Sequence, residues 1–65
     1  MNTMQQKLYD LYRLRPPMLG WGSGTSWAYR CGLGGTKNQW NRTSLSYAAW
    51  KAGRDTAKAN PVTHL

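Results

Sequence analysis

The sequence predicts an all-α protein: one small domain of three short helices. Two stretches of its 65 residues share one grammar, an aromatic anchor followed at helical spacing by glycine. The first runs Tyr29, Gly32, Gly35, then Asn38 and Trp40; the second is Ala48-Ala49-Trp50 followed by Gly53. Flat rings beside residues with almost no side chain let two helices approach closely. Aliphatic residues are scarce, with no Phe, no Ile and a single Val, so four Trp and four Tyr must supply the large apolar groups. Each ring buries roughly 150–250 Å², but a buried Trp N–H or Tyr O–H needs a partner. A chain this short is marginal unless packing or a partner supports it.

The first helix starts at a capping box, Thr3-Met4-Gln5-Gln6, with Thr3 capping and Gln6 reaching back. Met4, Leu8, Leu11 and Tyr12 then recur at helical spacing, with Gln6, Asp10 and Arg13 opposite. Pro16-Pro17 ends the helix near Leu14, because the residue before proline is pushed out of helical geometry. Residues 18–26 carry three alternate glycines and read as a linker. Thr25 or Ser26 caps a second helix from about Trp27, which stops at Gly34-Gly35. A polar loop over 36–43 holds Trp40. Thr43 or Ser44 starts the third helix, which Asn60-Pro61 closes after Ala59.

At 100° per residue, Leu45, Ala49, Ala52, Thr56 and Ala59 share one face of the third helix, with Ala48 and Gly53 at its margins. Tyr47, Lys51, Arg54 and Lys58 fall on nearly the opposite side. A basic ridge with one ring meets phosphates by charge and a base or sugar by stacking. The plain alternative is a solvated face that keeps the protein soluble. An Asp55–Lys51 pair would be exposed and worth only ~0.3–0.5 kcal/mol.

Nine Lys or Arg stand against two acids, Asp10 and Asp55, giving a net charge of +7. That balance implies an anionic partner or simple solubility; among partners, nucleic acid stands ahead of a membrane surface or an acidic protein. Cys31 is the sole cysteine, which excludes an internal disulfide and fits a reducing compartment. One thiol and the remote His64 make no metal site, and no cofactor is expected. There is no basic-then-apolar leader and no run of about 18 apolar residues, so a cytoplasmic protein without a membrane span is expected. Asn41-Arg42-Thr43 then matches the glycosylation pattern by chance.

Sharper motifs fare poorly. Gly20, Gly22 and Gly24 before Thr25-Ser26 suggest a phosphate cradle, yet no strand precedes them and the spacing is not the dinucleotide fingerprint. Gly32-Leu33-Gly34-Gly35-Thr36-Lys37 lacks the Gly-Lys-Ser/Thr order of a nucleotide-binding loop. The two acids belong to different helices, and nothing orients His64 toward Cys31, so no catalytic residues are expected. Cys31 reads instead as a structural thiol beside Trp27 and Gly35. Trp40 reads first as a plug closing the open end of the helix pair, and second as a stacking platform flanked by Lys37 and Arg42. Trp21, set between glycines, is a candidate partner contact, as is Trp40.

Tyr29-x-x-Gly32-Leu33-x-Gly35, Asn38-x-Trp40 and Ala48-Ala49-Trp50-x-x-Gly53 resemble the ribosome modulation factor family, nearest its small basic phage and plasmid relatives. That family's pattern is an aromatic and glycine helix, an Asn-Pro-Tyr or Cys-Pro-Tyr turn, and a Trp-x-x-Gly-Trp helix. The likeness covers residues 27–58, with Gln39 in place of the turn proline and Arg54 in place of the second Trp. It implies two helices joined by an ordered turn. The expected architecture is thus a small three-helix domain built on a helix–turn–helix hairpin over 27–60. An N-terminal helix occupies 1–17, a linker 18–26 and a frayed tail 61–65.

The resemblance also implies binding to ribosomal RNA on the small subunit, which in bacterial members silences translation through inactive, hibernating ribosome pairs. Fold transfers more safely than function. The expected activity is non-enzymatic: Lys37, Arg42, Lys51, Arg54 and Lys58 contact phosphates while Tyr47 stacks. A phage-type inhibitor covering a host nuclease, polymerase or defence component is the alternative, with Trp21 and the first helix as anchors. A short helix with one apolar stripe also admits a homodimer.

Overall fold

The computed structural model describes residues 1–17 and 24–59. The three helices are α1, Thr3–Leu14; α2, Gly24–Leu33; and α3, Leu45–Ala59. Trp21, His64, the linker residues 18–23 and the tail 61–65 lie outside the described residues.

The capping box of α1 sits one residue earlier than the spacing suggested. Asn2 Oδ1 accepts from the Gln5 N–H at 2.8 Å, and Gln5 Oε1 accepts from the Asn2 N–H at 2.9 Å. Asn caps at least as well as Thr, and this register brings Gln5 rather than Gln6 to the inner side. Gln5 is 2% exposed, and its Nε2 donates to the carbonyls of Arg42 at 2.6 Å and Ser44 at 2.9 Å. One amide therefore completes a helix cap and ties α1 to the segment entering α3. At the other end the Arg15 N–H donates to the Leu11 carbonyl, and Pro16 follows as expected.

α2 begins three residues before the expected start at Trp27, so Thr25 and Ser26 lie inside it. The Thr25 hydroxyl hydrogen-bonds the Tyr12 hydroxyl at 2.8 Å, so it links to α1. The helix ends as the glycine pair predicts. Thr36 N–H donates to the Cys31 carbonyl, Gly35 N–H to the Gly32 carbonyl, and Gly35 takes φ +80. This is the Schellman closure, which needs a left-handed residue at Gly35. Of the two caps considered for α3, Ser44 is used: its Oγ accepts from the Tyr47 N–H at 3.1 Å.

Ala28, Tyr29, Ala48, Ala49 and Ala52 are buried, and Trp50 is 9% exposed. Leu8, Tyr9, Tyr12, Cys31, Trp40 and Tyr47 pack around the core cluster of Ala28, Tyr29, Ala49, Trp50 and Ala52. Tyr12 meets Tyr29 edge to face, with centroids 5.6 Å apart. The alanine face of α3 is as expected at its centre, but its ends are not: Leu45 and Ala59 are exposed. Cys31 is half-buried, while Trp27, placed beside it by the sequence, faces outward.

Where α2 crosses α3, a Cβ on Gly32 would collide with the Trp50 carbonyl and stand 2.8 Å from the Arg54 nitrogen. A Cβ on Gly53 would collide with the Tyr29 carbonyl in the same way. Near the first turns of both helices, a Cβ on Gly24 would lie 4.0 Å from Ser46 Oγ. Starts therefore meet starts, and the two helices run in the same sense. The segment 34–44 is a return along the pair, so the expected tight helix–turn–helix hairpin is not the form this pairing takes. Trp50 Nε1 donates to the Thr36 carbonyl at 2.8 Å, holding the outset of that return against α3.

Candidate nucleic-acid interface

Tyr47, Lys51, Arg54 and Lys58 recur along one side of α3, spanning roughly 16 Å at 1.5 Å per residue. The structure joins two of them to the core. The Tyr47 ring stacks on Trp50 at 6.1 Å with 28° between planes, and the Arg54 guanidinium lies 5.2 Å from the Trp50 ring centre. Tyr47 and Arg54 thus flank an indole that the sequence placed only in the core. Tyr47 is half-buried, so part of its stacking surface is already in use. Lys51 is half-buried and Lys58 exposed.

Asp55 is the acid nearest this ridge, and its partners are internal. Its carboxylate accepts from the Tyr9 hydroxyl at 2.5 Å and pairs with Arg54 Nε at 3.3 Å. The expected Lys51–Asp55 pair is replaced by this Arg54 contact. Burial pushes the Asp55 carboxyl up, but the Tyr9 and Arg54 hydrogen bonds, with the charges of Arg54 and Lys51, outweigh it and hold the group below its ordinary value. The same hydrogen bond, with burial, raises the Tyr9 phenol despite Arg13 nearby. Asp10, the other acid, accepts from Gln6 Nε2 at 2.9 Å.

Lys37 and Arg42 are both exposed and lie toward opposite ends of the return segment. Lys37 follows Thr36, whose carbonyl holds the Trp50 indole, so it comes to the Trp50–Arg54 end. Arg42 is held through its carbonyl by Gln5, so it stands at the start of α3. The six expected contacts therefore form no single cluster. Tyr47, Lys51, Arg54 and Lys58 line α3, Lys37 follows the residue that meets Trp50, and Arg42 stands apart beside α1.

Trp40 is half-buried and packs against the core cluster, as the plug reading requires. Asn38 fixes it from both sides: its Oδ1 accepts from the Trp40 N–H at 3.0 Å and its Nδ2 donates to the Trp40 carbonyl at 3.1 Å. This asparagine clasp fixes the backbone around Trp40.

Sequence reasoning missed Trp27 and Arg30. Trp27 is 60% exposed, and Arg30 stands exposed one turn further along α2 with no side-chain partner among the described residues. Their i, i+3 spacing on a helix whose Ala28, Tyr29 and Gly32 are buried was the available signal. Among the described residues there is no group of three or more His, Cys, Asp or Glu arranged to hold a metal. Nor is any described helix long and apolar enough to cross a membrane. Comparison of the chain with family models, with curated proteins and with solved structures gives no match.

Proposed function

We propose that this chain is a non-enzymatic RNA-binding module that acts in the cytoplasm on ribosomal RNA of the small subunit and restrains translation. The observation that carries the reading is the disposition of charge. Nine cations stand against two acids, and both acids are hydrogen-bonded within the fold. Among the described residues, Lys37 and Lys58, with Arg42 at the far end, make no side-chain hydrogen bond or ion pair, and Lys51 acts on Asp55 by charge alone. A polyanion would release its counterions to such a surface whatever its sequence, and Tyr47 or the outward Trp27 would supply stacking to unpaired bases. The choice of ribosomal RNA among polyanions rests on the family resemblance of residues 27–58.

Sedimentation of the purified protein with bacterial ribosomes, with and without RNase, tests it. Co-sedimentation that RNase abolishes supports the proposal. One stoichiometric protein partner that survives RNase would favour the inhibitor reading instead.

A further inference from the structure

α1 divides its apolar residues between two directions. Gln5, Leu8, Tyr9 and Tyr12 turn toward the protein, whereas Met4, Leu11 and Leu14 are 67%, 50% and 84% exposed. Met4 and Leu11, half of the stripe that recurs at helical spacing in the sequence, therefore lie outside. Leu45, 40% exposed at the first turn of α3, continues it. Between the two helices runs an open groove of about 290 Å³ lined by Met4, Lys7, Leu8, Leu11 and Leu45. At about 30 Å³ per water it holds on the order of ten waters, enough for more than one aliphatic side chain. Its wall is aliphatic except for Lys7, which is exposed and has no recorded partner.

We propose that this groove docks an amphipathic helix of an acidic protein partner. Met4, Lys7, Leu11 and Leu14 stand at i, i+3, i+7 and i+10, the seam spacing that a second helix follows. Leucine-like anchors at i, i+3, i+4 and i+7 of the incoming helix would fill the groove while flanking carboxylates meet Lys7. A second copy of this chain fits poorly. Two-fold packing on the stripe would bring two copies of Lys7 into one small apolar interface, within a pair in which each chain carries +7. A lipid surface would not fill a concave cleft between two helices. Leu45 lies roughly opposite the Tyr47–Lys58 ridge at 100° per residue, so the groove is separate from that ridge, and of the proposed RNA contacts Arg42 alone stands on the α1 side.

The probe is a fluorescein-labelled helical peptide of about 18 residues, with Leu at i, i+3, i+4 and i+7 and Glu on both flanks, and a twin with Lys flanks. Fluorescence anisotropy against the full chain should report binding of the Glu peptide in the micromolar range and at least tenfold weaker binding of the Lys twin. Leu11→Ser should weaken the Glu peptide about tenfold while leaving helix content and RNA binding unchanged. Lys7→Glu should invert the preference between the two peptides. The proposal fails if neither peptide binds, or if Lys7→Glu leaves the preference unchanged. It fails also if the chain alone sediments as a dimer that Leu11→Ser dissociates. Capture by phosphatidylserine-containing vesicles that Leu11→Ser abolishes would overturn it too. RNA binding retained in each variant separates these failures from a failure of the RNA-binding proposal.

Discussion

Gly32 and Gly53 sit against each other's helix, each at the point where a Cβ would run into the partner's backbone. Trp50 and Tyr29 supply the carbonyls that close the approach from either side. The colliding atoms are backbone, so relief requires the helices to part rather than a side chain to turn.

Gly→Ala in an exposed helix interior gains up to about 1 kcal/mol. At Gly32 or Gly53 the sign reverses, and either alanine should cost at least about 2 kcal/mol. Urea unfolding followed by far-ultraviolet circular dichroism measures the difference. A neutral or stabilising alanine at either position would mean that the helices do not meet there.

Gln5 holds α1 on the return segment through two hydrogen bonds from its Nε2 and closes the α1 cap through a third at its Oε1. Gln5→Ala strands two carbonyls and one N–H and should cost about 2–3 kcal/mol. Gln5→Glu should cost more, because a carboxylate would then face the Arg42 and Ser44 carbonyls with no hydrogen to give. Proteolysis of α1 at low protease concentration should rise in both variants.

Tyr9 and Asp55 make folding depend on pH at both extremes. The Asp55 carboxyl is held below its ordinary value, so its contribution is present above the unfolded pKa of about 4 and fades as pH falls through the lower folded value. The Tyr9 phenol is raised, so its contribution is complete below about 10 and fades as pH rises through the higher folded value. Tyr9→Phe should cost about 1 kcal/mol at neutral pH and flatten both limbs of the stability profile. Denaturant midpoints taken from pH 3 to pH 11 should draw together for the two proteins toward the acid end, as Asp55 begins to take up its proton.

Thr56 Oγ1 is buried without a hydrogen-bond partner. Thr56→Val keeps the shape and removes the stranded hydroxyl, so it should stabilise the fold by about 1 kcal/mol. A drop in melting temperature would show that the hydroxyl is engaged after all.

The helices and their punctuation were legible because they rest on local chemistry. Pro16 after α1, Gly35 at a left-handed turn and Ser44 at the start of α3 each act within a few residues. The slot between Trp50, the alanines and the glycines was legible too, since ring next to small residue is a pattern within one helix. What escaped the sequence depends on partners distant in the chain. Gln5 wins over Gln6 because Asn2 outranks Thr3 as a cap and because two carbonyls wait beyond residue 40. The shared direction of α2 and α3 depends on how the segment 34–44 returns, which periodicity does not encode. Arg54 was placed on the right face, yet its capture by Trp50 and Asp55 needed Tyr9, 46 positions from Asp55, to bring the carboxylate into place.

That capture bears on the proposed RNA binding, because a cation already paired releases fewer counterions. With five free cations log affinity would fall with log salt at a slope of about −3.5 to −4.5, whereas Lys37, Arg42, Lys51 and Lys58 alone give about −2.8 to −3.6. A salt titration against a fluorescent small-subunit RNA fragment, repeated with those four residues changed to Gln, reads this out. We expect the lower slope for the native chain, and loss of binding with unchanged helix content in the quadruple variant. Affinity indifferent to salt, or a variant that binds as the native chain does, would contradict a protein built to hold RNA by this face.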